Sequence, residues 1–198
     1  MSRFPDVSFK LSAAAGAQFP ADHGVEVAFA GRSNAGKSSA INVITARHGL
    51  ARTSKTPGRT RLLNFFSLGG QRRIVDLPGY GFAEGPRAER DSWVPLIEAL
   101  RARRSLIGLF LVVDCRRGLA DSDLELIEWA DPTRRRIHIL LSKADKLTRA
   151  QGLKAQAAAE ATLRGQATVQ LFSALRRLGV EDAQRQLQSW IETGADSD

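Results

Sequence analysis

With a single cysteine, Cys115, among 198 residues, the chain can form no internal disulfide and must hold together by packing alone. Long hydrophobic runs are also missing. The longest, residues 106–113, is eight residues and ends at Asp114, against the roughly 20 that a membrane-spanning helix needs. Asp6 and Lys10 interrupt any apolar core of a secretory leader. There are three histidines, His23, His48 and His138, and none has a second ligand at metal-binding spacing, which argues against a structural zinc site. No repeat or low-complexity tract occurs, and the composition therefore reads as a soluble intracellular protein without a membrane span.

What is present is ordinary globular material, 43% hydrophobic and 25% charged, enough for one large domain. Acidic side chains are the scarcer sign, 21 against 29 basic, for a net charge of +8. Such a surface attracts phosphate polymers. Arg101, Arg103, Arg104, Arg116, Arg117 and Arg134 to Arg136 are candidates either for an RNA-facing patch or for a solvated rim.

Residues 1–24 show no clear periodicity and read as a leading segment, and 193–198 read as a small acidic tail that frays. Between them, strand-like and helix-like stretches alternate, the pattern of an α/β domain. Strands are expected at 25–30, 61–68, 72–76, 106–114, 137–141 and 168–172. Helices are expected at 37–46, 92–103, 121–130, 148–163 and 180–192, and residues 47–60 read as a long mobile loop. Gly69-Gly70 marks a hairpin and hence one antiparallel strand. The expected domain thus has about six mainly parallel strands with helices on both faces. Trp93, Trp129 and Trp190, each on a helix, read as core anchors, and Cys115 as a small buried side chain.

Gly31-Arg32-Ser33-Asn34-Ala35-Gly36-Lys37-Ser38 matches G-x-x-x-x-G-K-[ST] between an expected strand and an expected helix. In that setting the turn's N–H groups converge on phosphate oxygens, Lys37 serves the β- and γ-phosphates, and the Ser38 hydroxyl is a hard ligand for Mg²⁺. Asp76-Leu77-Pro78-Gly79 ends a strand, placing a carboxylate that can hold Mg²⁺, generally through water, and a Gly79 N–H suited to a γ-phosphate. Ser142-Lys143-Ala144-Asp145 ends another strand. Guanine offers N1–H and an exocyclic amine side by side, a donor pair that fits the Asp145 carboxylate, while the Lys143 stem lies over the base. Phe172-Ser173-Ala174 completes the base pocket with a backbone N–H toward guanine O6.

These residues together resemble a guanine-nucleotide domain of the small-GTPase type. With Thr53-Ser54-Lys55-Thr56-Pro57-Gly58-Arg59-Thr60-Arg61, Asn64-Phe65-Phe66 and Asp76-Leu77-Pro78-Gly79-Tyr80-Gly81-Phe82-Ala83, the stretch 25–192 resembles the EngB/YihA family of bacterial GTPases. The resemblance implies a Ras-like P-loop fold. It implies Thr60 as the switch threonine on Mg²⁺, where the residues alone leave Thr53 and Thr56 as rivals, and it brings Gly58, Arg59, Arg61 and Leu62 near the nucleotide. It further implies a part in large ribosomal subunit assembly, contact with ribosomal RNA, and normal cell division and septation. A cytoplasmic monomer is expected. Lys37, Thr60 and Gly79 are the residues expected to act in hydrolysis.

Two departures stand out. Ser142 replaces the usual Asn or Thr, so weaker support of the P-loop with retained guanine preference is expected. Ala35 replaces a larger apolar residue. Tyr80 holds the place of the glutamine that orients attacking water in Ras-like hydrolases, so intrinsic turnover no faster than about 3–5 × 10⁻⁴ s⁻¹, the unassisted Ras rate, is expected. Asn34 either binds K⁺ beside the phosphates or only stabilises its turn, and Arg59 and Arg61 are further candidates, either as helpers or as solvated or partner-facing loop arginines. Two other functions stay open: a nucleotide-controlled binding module in which hydrolysis is incidental, and a P-loop kinase or ATPase, against which Asp145 speaks.

Overall fold

Seven strands form one sheet in the order β1-β3-β4-β2-β5-β6-β7. They are β1 (Ser8–Ala13), β2 (Val25–Gly31), β3 (Leu63–Ser67), β4 (Arg72–Asp76), β5 (Leu106–Asp114), β6 (Arg136–Ser142) and β7 (Thr168–Leu171). The helices are α1 (Lys37–Ile44), α2 (Arg87–Arg101), α3 (Asp121–Ala130), α4 (Arg149–Leu163) and α5 (Val180–Thr193). The computed structural model describes residues 3–51, 62–80, 87–131 and 133–194, with backbone only for 87–93. Strand β3 runs antiparallel to both neighbours, β1 and β4, and all the other pairs are parallel. The Gly69-Gly70 hairpin and the single reversed strand are as the sequence indicates.

One strand more than expected is present. Residues 8–13, within the stretch that reads as aperiodic, add β1 to the edge of the sheet. Five of its six side chains are exposed or half-buried, so there is no alternation to read. Helix α2 begins at Arg87, five residues before its expected start at 92.

The sheet separates two apolar clusters. On one side Ala28, Ala30 and Leu109 meet α2, α3 and α4 through Leu100, Ile127 and Leu163. On the other, Val27, Phe29 and Phe110 meet α1 and α5 through Ile41, Leu187 and Trp190. Strand β5 contributes to both, which is why its sequence is continuously apolar. Trp190 packs its ring edge on Phe110 at 5.0 Å between centroids. Trp129 is only partly buried, and its Nε1 donates to Glu98; it is a rim residue, because that indole needs a polar partner. The Trp93 side chain lies outside the described residues. Cys115 is buried.

Two side chains tie the helix after the P-loop to the rest. Gln184 Nε2 donates 2.8 Å to the Ile44 carbonyl at the end of α1, satisfying an orphan acceptor. Asn42 pairs with both backbone groups of Ala51, 3.0 and 2.8 Å. The chain is thereby anchored just before residue 52.

At the opposite end of β2 sits a buried ionic knot. Glu26 is fully buried and accepts from Arg73 Nε at 2.7 Å and Arg103 Nε at 2.6 Å. Ser105 Oγ donates to it at 2.9 Å, and Arg73 also donates to the His23 carbonyl. Arg103 therefore belongs neither to an RNA patch nor to a solvated rim. Arg135 likewise spends its guanidinium on the carbonyls of Leu106, Ala130 and Arg101.

His138 is buried between β7 and the Phe110–Trp190 pair. Gln170 Nε2 donates to the Gly179 carbonyl, so its Oε1 faces His138 Nε2, which donates to it at 2.9 Å; Nδ1 then accepts from Thr168. Burial pushes its pKa below the ordinary imidazole value, opposed by the Gln170 bond and Asp182. The unfolded chain accordingly takes up a proton near pH 6.5 that the folded chain refuses until lower pH, and stability falls as pH drops below about 6.5. Thermal unfolding followed from pH 7.5 to 5 should show this slope, and His138→Gln should flatten it.

Candidate nucleotide-binding site

Strands β2, β4, β5, β6 and β7 are parallel, so their carboxyl ends share one edge of the sheet, where open α/β sheets bind ligands. Every candidate motif within the described residues leaves from that edge. The P-loop follows β2; Asp76 ends β4, Asp114 ends β5, Ser142 ends β6 and Phe172 follows β7. Gly36 caps α1 with φ +99°, a left-handed turn that aims the helix N-terminus at the loop. Asn34 also has positive φ, +64°, which Asn tolerates well, and its side chain is exposed. Among the described residues that side chain makes no hydrogen bond, so its turn role rests on backbone conformation.

Lys37 and Asp76 are ion-paired directly, with 11% and 6% of their side chains exposed. The lysine meant for phosphate and the carboxylate meant for Mg²⁺ thus satisfy each other. Ser38 lies one residue along, half-buried. A hydroxyl and a carboxylate are hard oxygen donors of the kind Mg²⁺ takes alongside water and phosphate, so the set fits that ion. Among the described residues no cluster of three or more His, Cys, Asp or Glu could hold a metal on its own.

Segment 76–80 runs along the P-loop. Leu77 N donates to the Phe29 carbonyl at 2.9 Å, and Ser33 N donates to the Tyr80 carbonyl at 3.1 Å. A Cβ on Gly79 would lie 2.9 Å from Ser33 Oγ and 3.4 Å from the Ser33 backbone, so any larger residue would need the Ser33 side chain to turn aside. Tyr80, in the place of a water-orienting glutamine, is 8% exposed, and its hydroxyl donates 2.5 Å to Asp123. Burial, and then Asp123, push the phenol pKa strongly upward, so the hydroxyl keeps its proton. A side chain held this way does not orient water.

Ser142 Oγ donates 2.5 Å to the Ala35 carbonyl, with the Val113 carbonyl at 3.1 Å. The serine supports the P-loop as the motif requires, and Ala35 is buried in the cluster beneath. Ser142→Ala strands a buried carbonyl at a cost of about 1–3 kcal/mol. Titration calorimetry should then show nucleotide affinity reduced roughly tenfold, with guanine still preferred over adenine.

Lys143 Nζ donates 2.5 Å to the Asn34 carbonyl and lies 3.0 Å from Asp114, stretching its stem between the base strip and the P-loop. Sequence reasoning missed Asp114, which pairs with Arg116 as well as Lys143. These partners, Arg116 first, hold its carboxyl well below the usual range. Its position at the end of a parallel strand, like that of Asp76, is the signal that could have found it. Arg32, Asn34, Asp114, Arg116 and Lys143 line a cleft of about 190 Å³ beside the P-loop.

The Ser173 hydroxyl donates 2.5 Å to Asp145 and lowers its pKa, so the carboxylate stays ionised below the usual range. Ala144 N donates to the Phe172 carbonyl at 3.1 Å and joins the two base segments. Phe172 N and Ser173 N serve the Leu141 and Leu178 carbonyls. Of the three amides in Phe172-Ser173-Ala174, the one at Ala174 is left for a ligand among the described residues. Leu62 precedes β3, while Thr53, Thr56, Gly58, Arg59, Thr60, Arg61, Gly81, Phe82 and Ala83 lie outside the described residues.

Residues 26–143 match the family model described as 50S ribosome-binding GTPase. A probable GTP-binding protein EngB of Nitrosococcus oceani is 51% identical over 183 residues, covering 89% of this chain and 90% of its own length. Its counterpart in Azoarcus sp. (strain BH72) is 46% identical over 200 aligned positions, 98% and 96% of the two chains. The crystal structure of a probable GTP-binding protein EngB superposes with a TM-score of 0.69 at 20% identity, over 85% of this chain and all of the other, a likeness of fold. By identity over nearly its whole length and by this shared G-domain architecture, the chain belongs to the EngB family of GTP-binding proteins.

Proposed function

We propose that this chain is a Mg²⁺-dependent GTPase switch that acts in the cytoplasm in assembly of the large ribosomal subunit, and through it in normal cell division and septation. The observation that carries the reading is the convergence of the P-loop, Asp76, Asp145 and Phe172-Ser173-Ala174 on one edge of the sheet. The family description as a 50S ribosome-binding GTPase and the +8 charge support the ribosomal partner. No helix of the described residues is long and apolar enough to cross a membrane.

In this reading Lys37 leaves Asp76 for the β- and γ-phosphates, Gly31 to Ser38 cradle the phosphates, and Asp145 accepts from the two guanine donors. Ser38, Asp76 and Thr60 hold Mg²⁺, whose chemistry is to neutralise charge on the phosphates. Gly79 supplies its N–H to the γ-phosphate. The exposed Asn34 side chain is available to K⁺, so GTP turnover should be faster in KCl than in NaCl at equal ionic strength. Equal turnover would dismiss potassium.

A second reading, a binding module governed by nucleotide occupancy, is favoured by the burial of Tyr80 on Asp123. Ribosomal particles pulled down with GDP and with a non-hydrolysable GTP analogue test the main proposal. Retention that depends on the nucleotide is expected, and no retention in either state would overturn the ribosomal part. Restoration of assembly by the analogue alone would favour the binding module over the hydrolytic switch.

A further inference from the structure

Tyr80 and Asp123 are 43 residues apart, both buried, and joined by a 2.5 Å hydrogen bond. The other Asp123 oxygen accepts from Ala120 N at 2.8 Å, so the carboxylate is part of the first turn of α3 and does not follow the phosphate site freely. On its backbone side Tyr80 bridges Arg32 and takes the Ser33 amide, while Gly79 lies in contact with Ser33. An added Cβ there would stand 2.9 Å from Ser33 Oγ and 3.4 Å from Ser33 N, so Gly79 packs directly against the third residue of the P-loop.

We propose that the Tyr80–Asp123 bond is a latch that pins segment 76–80 to α3 and the P-loop, and so sets the preference for guanosine diphosphate over triphosphate. The inference rests on the guanine-nucleotide reading of the site. Either nucleotide draws Lys37 from Asp76, because that lysine serves both terminal phosphates. A third phosphate that takes the Gly79 N–H must also part Gly79 from Ser33, and the latch resists that movement. Tyr80 is then a positioning residue whose hydroxyl reports the nucleotide state to the N-terminus of α3.

The experiment uses the full magnesium-loaded chain, with dissociation constants for GDP and a non-hydrolysable GTP analogue. Tyr80→Phe and Asp123→Ala should each shift the affinity ratio toward the triphosphate, roughly tenfold, the loss of one hydrogen bond to a charged group. The double variant should shift it no further, because both singles delete the same bond. Tyr80 is the chain's one tyrosine, so wild-type protein labelled at the tyrosine Cζ carbon gives a single tyrosine resonance. That resonance should move with the analogue and stay nearly in place with GDP. A ratio within twofold of wild type in the variants, or a resonance unmoved by the analogue, overturns the latch and leaves the nucleotide site standing. Failure of the wild type to bind either nucleotide overturns the site reading and the latch with it.

Discussion

Glu26→Ala should unfold at a temperature lower by roughly 10 °C. Removing one partner from a buried ion cluster costs about 3–5 kcal/mol, because the remaining charge stays out of water unpaired. Here two guanidiniums, Arg73 and Arg103, lose their shared carboxylate at once. In a domain of this size each kcal/mol moves the midpoint by about 2–4 °C. Replacing all three residues by leucine or methionine should recover much of the loss, since apolar substitutes remove charge and desolvation together. Scanning calorimetry on the single and triple variants checks both. The P-loop lies at the far end of β2, about 16 Å along the strand. Chains that remain folded should therefore bind GDP within about threefold of wild type. A melting shift under about 2 °C would mean that water reaches the knot.

Asp145→Ala should lower GDP affinity by about 10²–10⁴-fold and erase discrimination against ADP. Two hydrogen bonds from guanine to a carboxylate are lost, each worth about 1.5–3 kcal/mol, and every 1.4 kcal/mol is tenfold. The phosphate contacts of residues 31–38 are untouched, so residual binding should be that of a P-loop without a base preference. Calorimetry with GDP and ADP measures it, and GDP bound as tightly as by wild type would remove Asp145 from the base pocket. Because the Ser173 hydroxyl lowers the Asp145 pKa, wild-type affinity should be lost at a lower pH than in Ser173→Ala, which lacks that bond.

Much of the fold was legible because several signals are local. The continuous apolar run of β5 states that both faces are covered, and Thr148 with Gln151 states where α4 starts. Gly69-Gly70 gives the hairpin. Strand β1 was not legible, since an edge strand with both faces largely open has no period-two pattern. The arginines divided for a similar reason. Arg103 and Arg117 look alike in sequence, yet one is buried against Glu26 and the other is exposed. Only the packing of α2 against the sheet decides between them.

The chemistry offered to a nucleotide was written in the chain itself. Residues 31–38 carry the whole phosphate-loop pattern within eight consecutive positions, and Asp145 follows a strand end that the alternation of elements puts on the shared edge of the sheet. Tertiary structure alone decided that Tyr80 faces Asp123 rather than water, that Asp76 holds Lys37, and that Glu26 gathers two arginines. Those partners lie 39 to 77 residues apart, and no local spacing encodes them. They exist because neighbouring strands and helices, once packed, exclude the solvent that each charge or hydroxyl would otherwise choose.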